Sequence, residues 1–336
     1  MIQTDCQYYK TVMSAVGRTM LIFLLLINVY GAGINFLSVL LDILSVGEIA
    51  GNVIYQVVYA VGYMAVFMLP VLFLRRSLRK YGCPTKPMSL SVRLSPMLVQ
   101  ILFAGITVCF AMAEINSFIV DLFGYSDFMA EMMGTPTGEM APYEIILDFI
   151  VVCVVPAFCE EFLFRGAILT NCRPFGRTNA ILISAALFAL MHQNVGQLLY
   201  TFAAGIVLGL VYEYTGSIWN CTILHLFNNF VSVSQNVILA EYGETTQAWA
   251  LLTAIEVIIY LLGAISIGIL VSKHFSKHQT LEDGVFEKTV PAADSYAEHP
   301  VRGRIATRLF FCPSIIIFVV LATIEMGSLV LLSLTT

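Results

Sequence analysis

Two adjacent carboxylates and an arginine lie inside a long apolar run that begins near Tyr143: Glu160, Glu161 and Arg165. Ionisable side chains at membrane depth are expensive to insert, so they usually face a bundle interior and usually serve a function. Glu161 and Arg165 are four residues apart and share one helix face, whereas Glu160 points about 100° away from Glu161. The spacing predicts that Arg165 holds Glu161 and that Glu160 is free for chemistry.

Two other apolar segments carry side chains that could join Glu160: one ends in Phe188 and His192, and another carries His225 and Asn229. A carboxylate with two imidazoles in a low-dielectric cavity is suited to activating water as a general base. An asparagine amide could donate to an oxyanion that forms at a scissile carbonyl. The same imidazoles could instead bind a divalent metal such as zinc, with Glu160 as base or ligand. The residue types fit both possibilities.

Composition places these residues in a membrane protein. The chain has 336 residues, of which 59% are hydrophobic and only 12% are charged, whereas a soluble domain carries about twice that charged fraction. Its apolar runs are continuous rather than alternating, which predicts an all-α polytopic transmembrane helical bundle and excludes a membrane β-barrel. The lipid bilayer is therefore an expected partner. The sequence has no basic tract of the kind that binds nucleic acid.

The apolar runs predict nine spans, of which about eight form a core and the last is an extra C-terminal span. They cover roughly 19–42, 50–74, 96–123, 143–171, 178–192, 196–215, 217–238, 247–272 and 309–334. Residues 1–18 are interpreted as a short interfacial segment. The predicted units are residues 1–94 with two spans and a basic loop, a helical core 95–272, a polar cytoplasmic linker 273–308, and a C-terminal transmembrane helix within 309–336.

The distribution of cations predicts the orientation of the bundle. Apart from Arg165, all of the 17 Lys and Arg residues lie in segments 1–18, 75–95, 172–178, 214–217 and 273–308. The loops near 45, 124–142, 193–196 and 239–246 contain no Lys or Arg. Because cytoplasmic loops are enriched in cations, we expect an integral protein of the plasma membrane with its N-terminus cytoplasmic and its C-terminus outside.

Helix rise then predicts the depth of each polar residue. At about 1.5 Å per residue, Glu160 lies roughly 18 Å from the cytoplasmic end of its span and His192 about 20 Å from that end of its own. His225 and Asn229 lie at about 12 and 18 Å by the same rise. These three segments therefore bring their polar residues to similar depth, where they can form one site. We expect a peptide to reach this site from the cytoplasm or from within the membrane.

Three short motifs lie on these segments in chain order: Glu160-Glu161-Phe-Leu-Phe-Arg165, Phe188-Ala-Leu-Met-His192 and His225-Leu-Phe-Asn-Asn229. Together they resemble the motifs of the CAAX-protease and bacteriocin-processing family of intramembrane endopeptidases, which includes the CAAX prenyl endopeptidase. The resemblance covers roughly residues 95–272 and implies a peptide or protein substrate. It also implies that Glu160 activates water with His192 and that His225 and Asn229 stabilise the oxyanion. Metal-dependent and metal-free mechanisms are both attributed to this family, so zinc or no metal is expected.

Other interpretations of the same residues are structural. Glu160, Glu161 and Arg165 could fasten helices, and His225 and Asn229 could be interhelical hydrogen-bond partners, for which Asn228 is the better candidate. Glu114 and Asn116 of the third span are expected to face the bundle. A catalytically idle immunity or scaffold protein of the same fold is the main alternative function. A transporter is disfavoured because no internal repeat is visible in the sequence.

Overall fold

The structure is a computed structural model, and it describes residues 2–83, 92, 94–122, 124, 140–243, 245–279 and 312–333. Throughout these ranges the regular elements are helices, and no strand is present among them. Continuous apolar runs satisfy their backbone hydrogen bonds within one segment only as helices, which is why they fold in this way inside a bilayer. The all-α prediction is confirmed.

Nine helices occur in the described part of the chain, numbered here in chain order. They are α1 (Ile2–Ile43), α2 (Glu48–Lys80), α3 (Leu98–Leu122), α4 (residues 142–172), α5 (Arg177–Met191), α6 (Val195–Thr215), α7 (Ile218–Tyr242), α8 (Thr246–Gln279) and α9 (Pro313–Ser333). Six of them, α1, α2, α3, α6, α7 and α8, contain stretches long and apolar enough to cross a membrane, and α5 and α9 contain shorter apolar stretches. The chain is therefore an integral membrane protein.

Helix α4, which carries the acidic pair, is irregular. Two π-helical segments, Phe149–Val154 and Phe162–Leu169, flank an α-helical segment, Val155–Glu161. Pro156 stands near the start of the middle segment and lacks a backbone N–H, so it cannot continue the regular hydrogen-bond ladder. π-helical turns are rare and occur frequently at functional sites.

The helices extend past two of the predicted segment boundaries. Helix α1 runs without a break from Ile2 past Arg18, and Val12, Met13 and Val16 are buried in the core. The ring of Tyr9 packs 5.0 Å from that of Phe175, so this end of α1 belongs to the bundle and is not an interfacial segment. At the predicted linker, α8 continues through Gln279, and residues 280–308 lie outside the described ranges.

The added helix α9 runs parallel to α1. Near its start the hydroxyl of Ser314 donates to the carbonyl of Ser14 at 3.2 Å, and further along Asn28 donates to Glu325 at 3.1 Å. Helix α2 is antiparallel to α1, because Arg18 donates to the Ser77 hydroxyl at 3.4 Å and, further along α1, Tyr30 donates to the carbonyl of Tyr59 at 2.9 Å. The start and the interior of α9 are thus both tied to α1.

Helices α5 and α6 approach each other closely at Gly205. A Cβ atom at this position would lie 2.9 Å from the Cα and 3.0 Å from the Cβ of Ala185, closer than real Cβ contacts allow. Small residues permit such approaches between helices in membranes, where packing rather than hydrophobicity drives association. This contact fixes α6 against the helix that ends at His192.

We predict that Gly205→Ala lowers stability by about 1–3 kcal/mol, because the added methyl forces the two backbones apart. The measurement is the melting temperature of the purified protein in detergent. Gly268→Ala is the matched control, since Gly268 lies in α8 with no atom within 4 Å of an added Cβ. That variant should keep or raise the melting temperature, because alanine favours helix over glycine. Equal melting temperatures for the two variants would contradict the packing argument.

Candidate active site

A buried ion pair and a histidine meet at Glu161. Arg165 Nη1 donates to Glu161 Oε1 at 2.8 Å, as the spacing of four residues predicts, and both side chains are fully buried. His225 Nδ1 donates to the same oxygen at 2.9 Å, so α7 is joined to α4. Arg165 also donates through Nη2 to the carbonyl of Gly205 at 3.1 Å. Glu161 therefore holds both Arg165 and His225, and the second contact is one that sequence spacing does not predict.

Glu160 has a different environment from its neighbour. Its Oε1 accepts a hydrogen bond of 2.5 Å from the hydroxyl of Tyr63 on α2. Its Oε2 is buried and has no hydrogen-bond partner among the described residues. The nearest cationic candidate is His225 Nε2, which lies 3.8 Å from Oε2. One carboxylate oxygen is thus fixed and the other is available.

His192 lies at the carboxyl-terminal end of α5, where its ring orientation is set by the backbone. Its Nδ1 is 2.8 Å from the carbonyl oxygen of Phe188. Because a carbonyl can only accept, Nδ1 carries the proton and Nε2 of the neutral ring is an acceptor. The Phe188 ring packs edge-on against His192 and His225, at centroid distances of 5.0 and 6.0 Å, and lies 4.6 Å from the Arg165 guanidinium carbon.

The turn that carries His192 is tied to α9. Gln193 follows His192 in the left-handed region with φ of 52°, and Asn194 caps α6 by accepting from the Gly196 amide at 2.8 Å. The Gln193 amide donates to the carboxylate of Glu325. The C-terminal helix therefore contacts the residue next to His192.

The predicted catalytic residues share one cavity of about 770 Å³. Its lining includes all four: Glu160, His192, His225 and Asn229. Glu161, Arg165 and Phe188 are absent from this lining and stand behind it, packed against the residues that form the wall. The expectation that three segments bring their polar residues together is therefore met.

The two asparagines of α7 have different partners. Asn228 Nδ2 donates to the Tyr200 hydroxyl of α6 at 2.7 Å, which is the interhelical bond expected of it. Asn229 Nδ2 donates to the carbonyl of Val152 at 3.2 Å, at the first π-helical segment of α4. An amide nitrogen carries two hydrogens, so the second N–H of Asn229 is available to a group in the cavity.

Sequence reasoning missed the side chain that α2 contributes to the site. Tyr63 lies outside all three motifs, and its only signal is its place in a row with Tyr55 and Tyr59, one helical turn apart. Asn116 is buried and lines the cavity as a bundle-facing residue should, and its amide donates to the Gly196 carbonyl. Glu114, which was expected to face the bundle or the interface, is exposed and does not line the cavity.

The side-chain arrangement does not fit a metal centre. Within the described ranges, no group of three or more His, Cys, Asp and Glu side chains is placed to hold a metal ion. One ring nitrogen of each histidine is hydrogen-bonded, His192 to a carbonyl and His225 to Glu161, which leaves only Nε2 of each ring as a possible ligand atom. The proposed metal set of His192, His225 and Glu160 is therefore not supported, and the chemistry below involves no metal.

The fold and the cavity define a class: a helical integral membrane protein with a Glu- and His-lined site inside the bundle. Residues 142–231 match the sequence model of the family described as Type II CAAX prenyl endopeptidase Rce1-like. The chain therefore carries a domain of this membrane protease family, and the resemblance drawn from the three motifs is confirmed over this segment. The match is narrower than the range 95–272 and includes every motif residue. No curated protein and no solved structure matches the chain.

We predict that Arg165→Met destabilises the protein by about 3–5 kcal/mol, because it leaves the Glu161 charge buried without its strongest partner. The measurement is thermal unfolding in detergent, with the monodisperse fraction after purification as a second readout. Glu160→Gln is the matched control on the same helix turn. It keeps an acceptor for Tyr63 and removes a charge whose Oε2 has no hydrogen-bond partner, so it should unfold at or above the wild-type temperature. If Arg165→Met and Glu160→Gln unfold at the same temperature, the Glu161–Arg165 pair does not stabilise the protein.

Proposed function

We propose that the protein is an intramembrane endopeptidase in which Glu160 activates the attacking water. The observation that supports this most directly is the Oε2 atom of Glu160, which is buried, accepts no hydrogen bond from the described residues and belongs to a cavity-lining side chain. A buried carboxylate oxygen without a partner is costly, so such a group calls for a specific reason. Glu161 Oε2 also has no partner among the described residues, but Glu161 does not line the cavity. A water molecule or substrate group in the cavity would supply the missing donor.

In this mechanism Glu160 Oε2 takes a proton from water as the water oxygen bonds to the scissile carbonyl carbon. The second hydrogen of the water stays on its oxygen and donates a hydrogen bond to His192 Nε2, which the Nδ1 contact with the Phe188 carbonyl leaves unprotonated. The carbonyl becomes a tetrahedral oxyanion. Glu160 then returns the proton to the amide nitrogen, whose bond to carbon breaks, and the products are a free carboxyl and a free amine.

The oxyanion would be stabilised from α7. His225 donates through Nδ1 to Glu161. When the ring also carries a proton on Nε2, which lies 3.8 Å from Glu160 Oε2, this second N–H can donate into the cavity. Asn229 has an amide hydrogen beyond the one given to Val152. Donors fixed before the reaction stabilise developing charge without reorganising, and losing one costs about 10²–10³ in rate.

The orientation expected from the cations is part of the proposal: N-terminus cytoplasmic, C-terminus outside, in the plasma membrane. Helix contacts are consistent with it, since α2 runs antiparallel to α1 whereas α9 runs parallel to α1. The cationic residues Arg173 and Arg177 share the Glu213 carboxylate, at 2.6 and 3.8 Å, at the proposed cytoplasmic end of α6.

We predict that Glu160→Gln lowers turnover at least about 100-fold, the usual contribution of a general base. The assay incubates the purified protein in lipid nanodiscs with a proteome-derived peptide mixture and identifies new termini by mass spectrometry. Wild type is assayed with and without a chelator, and the expected rate is the same in both. Cleavage that survives in Glu160→Gln would overturn the mechanism, and loss on chelation restored by zinc would favour a metal enzyme. No wild-type cleavage of any peptide would favour the idle scaffold protein.

A further prediction concerns Tyr63, which lies outside the segment 142–231. Its hydroxyl fixes Glu160 Oε1, and a hydrogen bond to a charged group contributes about 1.5–3 kcal/mol. We expect Tyr63→Phe to lower kcat by roughly 10- to 100-fold with little change in KM. Tyr30→Phe, which removes the bond to the Tyr59 carbonyl, is the control and should keep kcat. If Tyr63→Phe and Tyr30→Phe show the same fall in melting temperature and the same kcat, Tyr63 has a structural role only.

A further inference from the structure

The C-terminal helix α9 carries one carboxylate, Glu325, opposite the turn that follows α5. Glu325 is the only Asp, Glu, Lys or Arg in residues 309–336, which are otherwise strongly apolar. A charge in an apolar helix is expensive to place in a membrane and is a candidate for a specific role. Helix α9 lies outside residues 142–231, the segment that matches the family model. Its charged side chain is therefore a feature that the three motifs do not account for.

The packing of α9 explains where this carboxylate points. Ile315, Phe318, Ala322 and Met326 recur at helical spacing and are buried. Glu325 lies three residues after Ala322 and directly before Met326, so it belongs to the same face, and it is half-buried. The face that packs α9 against the bundle therefore also presents Glu325 to the bundle.

Two neutral amides from different parts of the chain donate to Glu325. Asn28 of α1 donates to Oε1 at 3.1 Å, and the side chain of Gln193 donates to Oε2. Hydrogen bonds to an ionised acceptor are roughly twice as strong as those between neutral groups. Because Gln193 follows His192 directly, one oxygen of Glu325 fastens α9 to α1 and the other holds the turn at the end of α5.

The residue that Glu325 holds has an uncommon backbone conformation. Gln193 lies in the left-handed region with φ of 52°, which residues other than glycine rarely adopt. Such a residue keeps this conformation when the surrounding structure fixes it. Glu325 holds the side chain of Gln193, and Asn116 of α3 donates to the carbonyl of Gly196 just beyond it. The turn between α5 and α6 is thus held from two helices outside the matched segment.

The conformation of Gln193 matters for His192 because the two residues share a peptide unit. His192 lines the cavity, and the contact of 2.8 Å between its Nδ1 and the Phe188 carbonyl leaves Nε2 free to accept. If the Gln193 side chain is released, the shared peptide can rotate toward an ordinary turn and shift the His192 ring. A displacement of about 1 Å at a reacting group can lower the rate by about 100-fold.

We propose that Glu325 is a positioning residue for His192: through the side chain of Gln193 it holds the left-handed turn that keeps His192 Nε2 directed into the cavity. This role rests on the proposed function, in which Nε2 accepts a hydrogen bond from the attacking water. Helix α9 is then a working part of the active site and acts on it from outside the matched segment.

The first test compares variants that break different bonds of Glu325, using the peptide-cleavage assay. Gln193→Met and Glu325→Met remove the bond to the turn, whereas Asn28→Leu removes only the bond to α1 and is the matched control. We expect Gln193→Met and Glu325→Met each to lower kcat roughly 10- to 100-fold with little change in KM. Asn28→Leu should keep kcat, because Gln193 stays paired with Glu325.

Two further variants separate a specific contact from general loosening of α9. The Gln193→Met/Glu325→Met double variant should have the kcat of the single variants, because the same bond is lost only once. Glu325→Gln should recover most of kcat, since an amide can accept from one partner and donate to the other when that partner's amide flips. Unchanged kcat in Glu325→Met would overturn the proposal. A fall in Asn28→Leu as large as in Glu325→Met would overturn it too, because Glu325 would then only fasten α9 to α1.

The second test reads the His192 ring directly and needs no turnover. The chain has 5 histidines, so nitrogen NMR of protein with isotope-labelled histidine is practicable, and His192→Gln identifies the resonances of His192. At mildly alkaline pH the wild type and Asn28→Leu should show the neutral ring with its proton on Nδ1. Gln193→Met and Glu325→Met should show exchange between the two tautomers.

A single Nδ1–H tautomer in all of these variants would overturn the proposal, since the turn would then hold His192 without Glu325. Exchange in Glu325→Met together with no peptide cleavage by the wild type would have a different meaning. It would refute the endopeptidase function and support the hold of Glu325 on the His192 ring.

Discussion

The rest of the site depends on the contacts that the Glu161 carboxylate makes with Arg165 and His225. A charge buried this deeply is tolerated only when it is paired and hydrogen-bonded. Its partners come from two helices, since Arg165 belongs to α4 and His225 to α7. Arg165 extends the connection to α6 through the Gly205 carbonyl and to α5 through the Phe188 ring. One ion pair thus joins the four helices of the segment that matches the protease family.

The two adjacent carboxylates have separate functions because neighbouring residues on a helix point in different directions. Glu161 faces the interior, where Arg165 and His225 donate to it, and Glu160 faces the cavity, where Tyr63 fixes one oxygen. The arrangement resembles other sites in which two acidic groups with different environments take different roles. Here the paired acid positions His225, and the unpaired one is the proposed base.

Helices outside the matched segment complete the site. Helix α2 supplies Tyr63 and α3 supplies Asn116, while Glu325 of α9 accepts from Gln193 beside His192. The proposed acid–base residues all lie within residues 142–231. The cavity wall nevertheless depends on helices outside this segment. The close approach at Gly205 serves the same end, because it sets α6 against the helix that ends at His192.

The sequence by itself determined the helical membrane class, the three motifs, the shared depth of Glu160, His192, His225 and Asn229, and the pairing of Glu161 with Arg165. These follow from composition and from the fixed rise and turn of a helix, which act over a few residues. Only the tertiary structure decided that Tyr63 binds Glu160 and that His225 binds Glu161. Those features depend on how separate helices rotate and pack against one another, and no local spacing records that rotation.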